Sequence, residues 1–206
     1  NAALYYLFNE DNITAESYRL HLEMVAIQLI CFRFLNPDAK NKLDYFTLTY
    51  NNAEISKEFP IIQYDNKLLT YGCIENNLIF NFLDYIIWCN SDEEVVANSE
   101  FTFRSSVEHY YPQNPIGGKP LNDQNVLNSF GNLCLISHQK NSKLNHHLPS
   151  AKKNYYAKLD SGGHLSFDSL KQYIMMSEYD ADIWNENSIN DHQKKMVDLL
   201  NDFIQN

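Results

Sequence analysis

Between Thr14 and Leu35, apolar side chains recur every three or four residues: Tyr18, Leu22, Val25, Leu29 and Phe32. That spacing lays one apolar stripe along a helix, with Thr14 as N-cap and Asn36-Pro37 as its stop. The stretch Asn77–Cys89 is apolar almost all round, which predicts a second, buried helix. Residues 42–71 between them, rich in Tyr, Asn and Phe, show no assignable period. Near residue 100 the texture changes. Phe101, Phe103 and Val107 alternate with Thr102, Arg104 and Ser106, the period of a half-buried strand over 101–107. A loop with Pro112, Pro115, Gly117, Gly118 and Pro120 follows, then a short strand Leu133–Ile136 entered through Gly131. A polar turn leads to a basic helix over 149–159, ended by Gly162-Gly163. Helices over 167–176 and 189–204, the latter capped by Ser188, close the chain. The pattern predicts a mainly α protein with a small β-hairpin, in the α+β class. The acidic stretch Asp92-Glu93-Glu94 marks an expected division into a helical module, 1–97, and a second domain, 98–206.

Composition narrows the possibilities. At 206 residues, 44% apolar and 14% aromatic, the chain can bury a core, which excludes global disorder. No run of about 18 apolar residues occurs, so no membrane partner is expected. The chain opens on Asn1-Ala2-Ala3 without Met or a secretory leader, which reads as part of a longer natural protein. Cys31, Cys73, Cys89 and Cys134 lie far apart with no CxxC pair. Each sits among apolar neighbours and is expected as a buried small hydrophobe, in keeping with a reducing, cytoplasmic setting.

The net charge of −10 argues against a general nucleic-acid binder, but the charges segregate. Residues 101–160 hold seven basic side chains and three acidic ones (Glu108, Asp123 and Asp160), an electropositive segment in an acidic chain. The competing reading is an ordinary fluctuation on a solvated surface.

The predicted strand over 101–107 leads directly into Glu108-His109, then Tyr110-Tyr111-Pro112-Gln113. A His at a strand end can accept a proton near neutral pH, and a neighbouring carboxylate is a hard oxygen ligand suited to Mg²⁺. Alone, the dipeptide is more often a plain surface pair. Before the second strand stands Asn128-Ser129-Phe130-Gly131-Asn132-Leu133, and nine residues after Asn132 comes Asn141 in Lys140-Asn141-Ser142-Lys143-Leu144. Each Asn alone reads as a cap or turn residue. An Asn can also offer neutral oxygen to a hard cation or hold a neighbouring loop.

Taken together, the order is strand, Glu-His, loop, Gly-Asn-Leu, strand, Asn-Ser-Lys-Leu and basic helix. It resembles the HNH endonucleases, whose core is a ββα-metal motif. More narrowly, Val107–Asn114, Phe130–Ile136, Asn141–Leu144 and the closing Ile183-Trp184 and Met196–Leu200 are similar to the C-terminal HNH domain of GmrSD-type modification-dependent restriction enzymes. The resemblance covers about 98–206, and the helical first half is more loosely similar to the module preceding that domain.

The resemblance implies roles. His109 is the general base, Glu108 the metal-binding carboxylate, Asn141 the second metal ligand and Asn132 the residue that orients the histidine loop. Lys140, Lys143, Lys152 and Lys153 lie where the family's DNA-facing helix begins and fit phosphate contacts. Two departures stand out: the carboxylate is Glu rather than the usual Asp, and the last motif residue is Asn rather than His. The second favours Mg²⁺ (or Mn²⁺) with oxygen ligands. The implied activity is metal-dependent hydrolysis of DNA phosphodiesters in restriction or phage defence. In the resembled enzymes a nucleotide-hydrolysing domain lies N-terminal, which makes it the implied partner; this chain shows no Walker A loop and is not expected to hydrolyse nucleotides by itself. Rival readings are an RNA-cleaving defence nuclease and a DNA-binding or scaffolding module without activity.

Overall fold

A computed structural model describes residues 1–52, 55–157 and 166–206. The chain opens with α1 (Ala2–Asn9), a helix that the periodicity did not announce. Helix α2 (Ala15–Leu29) starts where expected. Ser17 N–H donates to Thr14 Oγ1 and Thr14 N–H donates to Ser17 Oγ, so two of the helix's orphan donors are met. It runs on into a π-helical turn, Ile30–Phe34, that buries Ile30, Cys31 and Phe34. The stretch without a clear period contains α3 (Tyr45–Tyr50), capped by Asp44. Helix α4 (Leu78–Asn90) buries Ile79, Phe80, Phe82, Leu83, Ile86 and Ile87, as its nearly continuous apolar surface requires. A short α5 (Glu94–Ala97) follows.

Strands β1 (Ser106–His109) and β2 (Leu133–Ile136) form an antiparallel hairpin, with Ser106 opposite Ile136 and His109 opposite Leu133. The expected first strand therefore begins late. Phe101 and Phe103 are exposed while Arg104 is buried, the reverse of the alternation read from the sequence. The cause is electrostatic. Arg104 donates to Asp84 Oδ2 on α4 at 2.5 Å and to the Asp168 carbonyl at 2.8 Å, and a buried guanidinium must be paired.

Between the strands lies α6 (Gln124–Leu127), capped by Asp123. After β2 the chain forms α7 (His138–Leu144), a helix where a polar turn was expected, and α8 (Pro149–Ala157). Leu159 and the Gly162-Gly163 break lie outside the described residues. Helix α9 (Leu170–Ser177) and the long α10 (Glu186–Gln205) complete the fold. The cap of α10 is Asn185, whose side chain accepts from the Asn187 and Ser188 amides; Ser188 itself lies inside the helix.

The hairpin separates two apolar clusters. On one side, Phe130, Leu133 and Leu135 pack with α4 and with Met196, Val197 and Leu200 of α10, so this core draws on both sides of residue 97. On the other, Tyr110, Cys134 and Ile136 pack with Tyr156, Met175 and Trp184. Cys31 and Cys134 are buried as expected. Cys73 and Cys89 are exposed, one in the loop just after the Gly72 turn and the other in the last turn of α4. Among the described residues no helix is long and apolar enough to cross a membrane.

Under the hairpin, the fully buried Lys171 of α9 donates to the Phe130 and Leu133 carbonyls at 2.8 and 2.7 Å and lies 3.2 Å from His192 Nε2. Burial pushes the Lys171 ammonium down to about 7 and holds the His192 imidazole well below its ordinary value. For His192 the sign is unambiguous. Below about pH 6.5 the unfolded chain binds a proton that the folded chain refuses, so stability present above that pH is lost as pH falls. The loss should approach about 1.4 kcal/mol per pH unit from this one group. Urea midpoints between pH 7.5 and 5.5 should fall less steeply in His192→Gln than in the parent chain; equal slopes would show that His192 is not buried in its neutral form.

Candidate active site

The end of β1 and the start of α7 meet over a small polar cleft of about 170 Å³. Glu108, His109 and Asn141 all line it, together with Tyr71, Gln113, Asn114, Asn145 and His146. Three of the motif positions read from the sequence are thus brought together by the hairpin turning back onto α7.

His109 is buried apart from this opening. Its Nε2 lies 2.9 Å from Asn128 Oδ1, which also accepts from Gln113 Nε2 at 3.1 Å. The Tyr71 ring packs 4.4 Å from the imidazole centroid at an interplanar angle of 56°. Burial holds His109 below its ordinary value, opposed by the Asn128 contact and reinforced by the Lys152 charge.

Asn132, the fourth motif residue, does not reach the cleft. It is fully buried, and its carboxamide makes four hydrogen bonds. Oδ1 accepts from the Tyr111 amide at 2.8 Å and from Trp184 Nε1 at 3.1 Å. Nδ2 donates to the Tyr111 carbonyl at 2.9 Å and the Leu127 carbonyl at 2.8 Å. The Tyr110 amide also donates to the Asn132 carbonyl at 2.8 Å, continuing the ladder past His109. The backbone that follows the histidine is therefore clamped from both sides.

The basic residues sort differently from the expectation. Lys152 is buried: its Nζ donates to Glu108 Oε1 at 2.6 Å and to the His109 carbonyl at 2.5 Å, so it cannot contact phosphate at the surface. Burial pushes Glu108 up and Lys152 down from their ordinary values, and each charge pulls its partner back. Lys140 is also committed, paired with Asp168 Oδ1 at 2.7 Å and lying over the Tyr156 ring. With Arg104 on Asp84, three of the seven basic side chains of 101–160 are neutralised inside the fold. Lys143 is exposed on α7, and Lys153 is partly exposed on α8.

Sequence reasoning missed Asn128, Gln113 and Tyr71. The first two stood within the quoted stretches but carried no role of their own there, and Tyr71 lay in the stretch without a period. His146 is exposed and also lines the cleft, with Nδ1 3.1 Å from the Asn114 carbonyl.

A two-stranded hairpin with a helix packed behind it thus opens a small polar, histidine-bearing cleft. The family model for the C-terminal domain of GmrSD restriction endonucleases matches residues 38–199, and the chain belongs to that family. No curated protein and no solved structure matches the chain.

The Lys152–Glu108 pair makes a direct prediction. Lys152→Met leaves a buried carboxylate without its counter-charge and should cost about 3–5 kcal/mol, read from urea denaturation. Lys152→Met combined with Glu108→Gln should recover part of that loss. A single variant as stable as the parent would mean that the pair does not form in solution.

Proposed function

We propose that this domain is an HNH-type (ββα-metal) endonuclease that hydrolyses DNA phosphodiester bonds in a restriction role. The observation that carries this reading is the convergence of Glu108, His109 and Asn141 on one small cleft, in a chain of a restriction endonuclease family. His109 accepts the proton of the attacking water. Burial favours the neutral imidazole, the form able to do so. Asn132 holds the Tyr111 backbone and so fixes the loop leaving the histidine.

The donor set fits a hard cation. A carboxylate and several carboxamide oxygens line the cleft and no thiolate does, which suits Mg²⁺ or Mn²⁺ keeping much of its own water. Among the described residues no group of three or more His, Cys, Asp or Glu side chains gathers, so the cleft is not a preformed zinc-type cage. Glu108 and Asn141 would hold the ion, with Glu108 shared with Lys152. Such an ion supplies positive charge against the scissile phosphate and the departing oxygen. Lys143 and Lys153 remain as phosphate contacts; Lys140 and Lys152 do not. The family's description as a C-terminal domain supports a further domain upstream, for which a nucleotide-hydrolysing unit is the proposed partner.

Supercoiled plasmid should be nicked or cut in Mg²⁺ or Mn²⁺ and not in EDTA. His109→Ala should lower the rate by about 10²–10⁴ while leaving DNA affinity nearly unchanged, because it removes a proton acceptor and no phosphate-binding charge. A variant keeping more than a tenth of the parent rate would remove His109 from the mechanism. Cleavage of RNA but not DNA in a parallel digestion would overturn the choice of substrate.

A further inference from the structure

We propose that Asn128 and Tyr71 are positioning residues that hold His109 with its proton on Nε2, leaving Nδ1 as the atom that accepts the proton from water. For its catalytic consequence this rests on the nuclease reading; the tautomer itself does not.

The two nitrogens of His109 are not equivalent. Nε2 faces Asn128 Oδ1 at 2.9 Å, an atom that can only accept, so Nε2 must donate. The same oxygen takes a second donor, Gln113 Nε2 at 3.1 Å, so one orientation of the Asn128 carboxamide serves both contacts. Nδ1 has no hydrogen-bond partner among the described residues, and the residue lines the cleft. In a neutral imidazole, a proton on one nitrogen leaves the lone pair on the other. The base therefore acts through Nδ1.

Asn128 is itself held. It stands just past the end of α6, where its amide donates to the Gln124 carbonyl at 3.1 Å. Its carbonyl accepts from the Tyr71 amide at 2.8 Å, and the neighbouring residues Thr70 and Ser129 form an antiparallel bridge. Gly72, at φ +80°, lets the chain turn sharply just after Tyr71. One short segment from the first half of the chain thus fastens the backbone of Asn128 and lays the Tyr71 ring on the imidazole. A hydrogen bond fixes the tautomer and the edge of the ring; the aromatic contact limits its rotation.

The test needs no activity. Long-range ¹H–¹⁵N correlation spectra of the full chain at pH 8, with His109 signals identified by their loss in His109→Gln, report directly which nitrogen carries the proton. The parent chain should show a protonated Nε2 and a pyridine-like Nδ1. Asn128→Ala should give a mixture of tautomers, and Asn128→Asp, which keeps an acceptor there, should restore the parent pattern. In plasmid cleavage Asn128→Ala should lower kcat about 10- to 100-fold with little change in KM, and Asn128→Asp should recover part of it. Tyr71→Leu should lower kcat in the same sense. A parent chain with its proton on Nδ1, or an unchanged pattern in Asn128→Ala, overturns the proposal. A chain that shows the expected tautomer yet cuts no nucleic acid overturns the nuclease reading and leaves the clamp standing.

Discussion

The turn from Phe130 to Leu133 is sealed from water, so every polar group of its backbone must find a partner within the protein, and the turn's own bonds leave several to be met by distant side chains. The rest of the site depends on that constraint. Gly131 lies so close to α10 that a Cβ would fall 2.2 Å from the Ile189 carbonyl, so only glycine fits, and its amide donates to Gln193 Oε1 at 2.7 Å. Lys171 takes the carbonyls of Phe130 and Leu133. Asn132 then turns its side chain to the Tyr111 backbone. One buried turn thereby joins α9, α10 and the loop behind His109.

The same logic explains where the positive charge goes. In an acidic chain a basic segment reads as a surface for polyanions. Here Arg104, Lys140 and Lys152 each bind a carboxylate within the fold, and Arg104 and Lys152 are buried with it. These ion pairs connect parts distant in sequence: Arg104 ties the approach to β1 to α4, Lys140 ties α7 to the segment before α9, and Lys152 ties α8 to β1. Charge counted along the chain overstates the electropositive surface.

The cleft is narrow and lined by carboxamides, one carboxylate and two imidazoles. Its members come from β1, the loop after it, α7 and the turn carrying Tyr71. The last of these belongs to the half of the chain that lacks the motif. The site is accordingly not self-contained within the hairpin and its helix.

The sequence by itself determined the elements whose signals are local. Thr14 announced α2 through its cap, the continuous apolar run announced α4, and the short apolar run after Gly131 announced β2. Local signals failed where a distant partner decided the outcome. Arg104 is buried because Asp84 waits on α4, which inverts the Phe101–Phe103 alternation. Lys152 points inward because the largely buried Glu108 lies against α8, so a lysine that reads as a phosphate contact becomes a structural counter-ion. Asn128 and Tyr71 acquire their places only when the turn at Gly72 docks on the end of α6. Pairing of buried charges and satisfaction of buried amides act through space, and spacing along the chain carries no record of them.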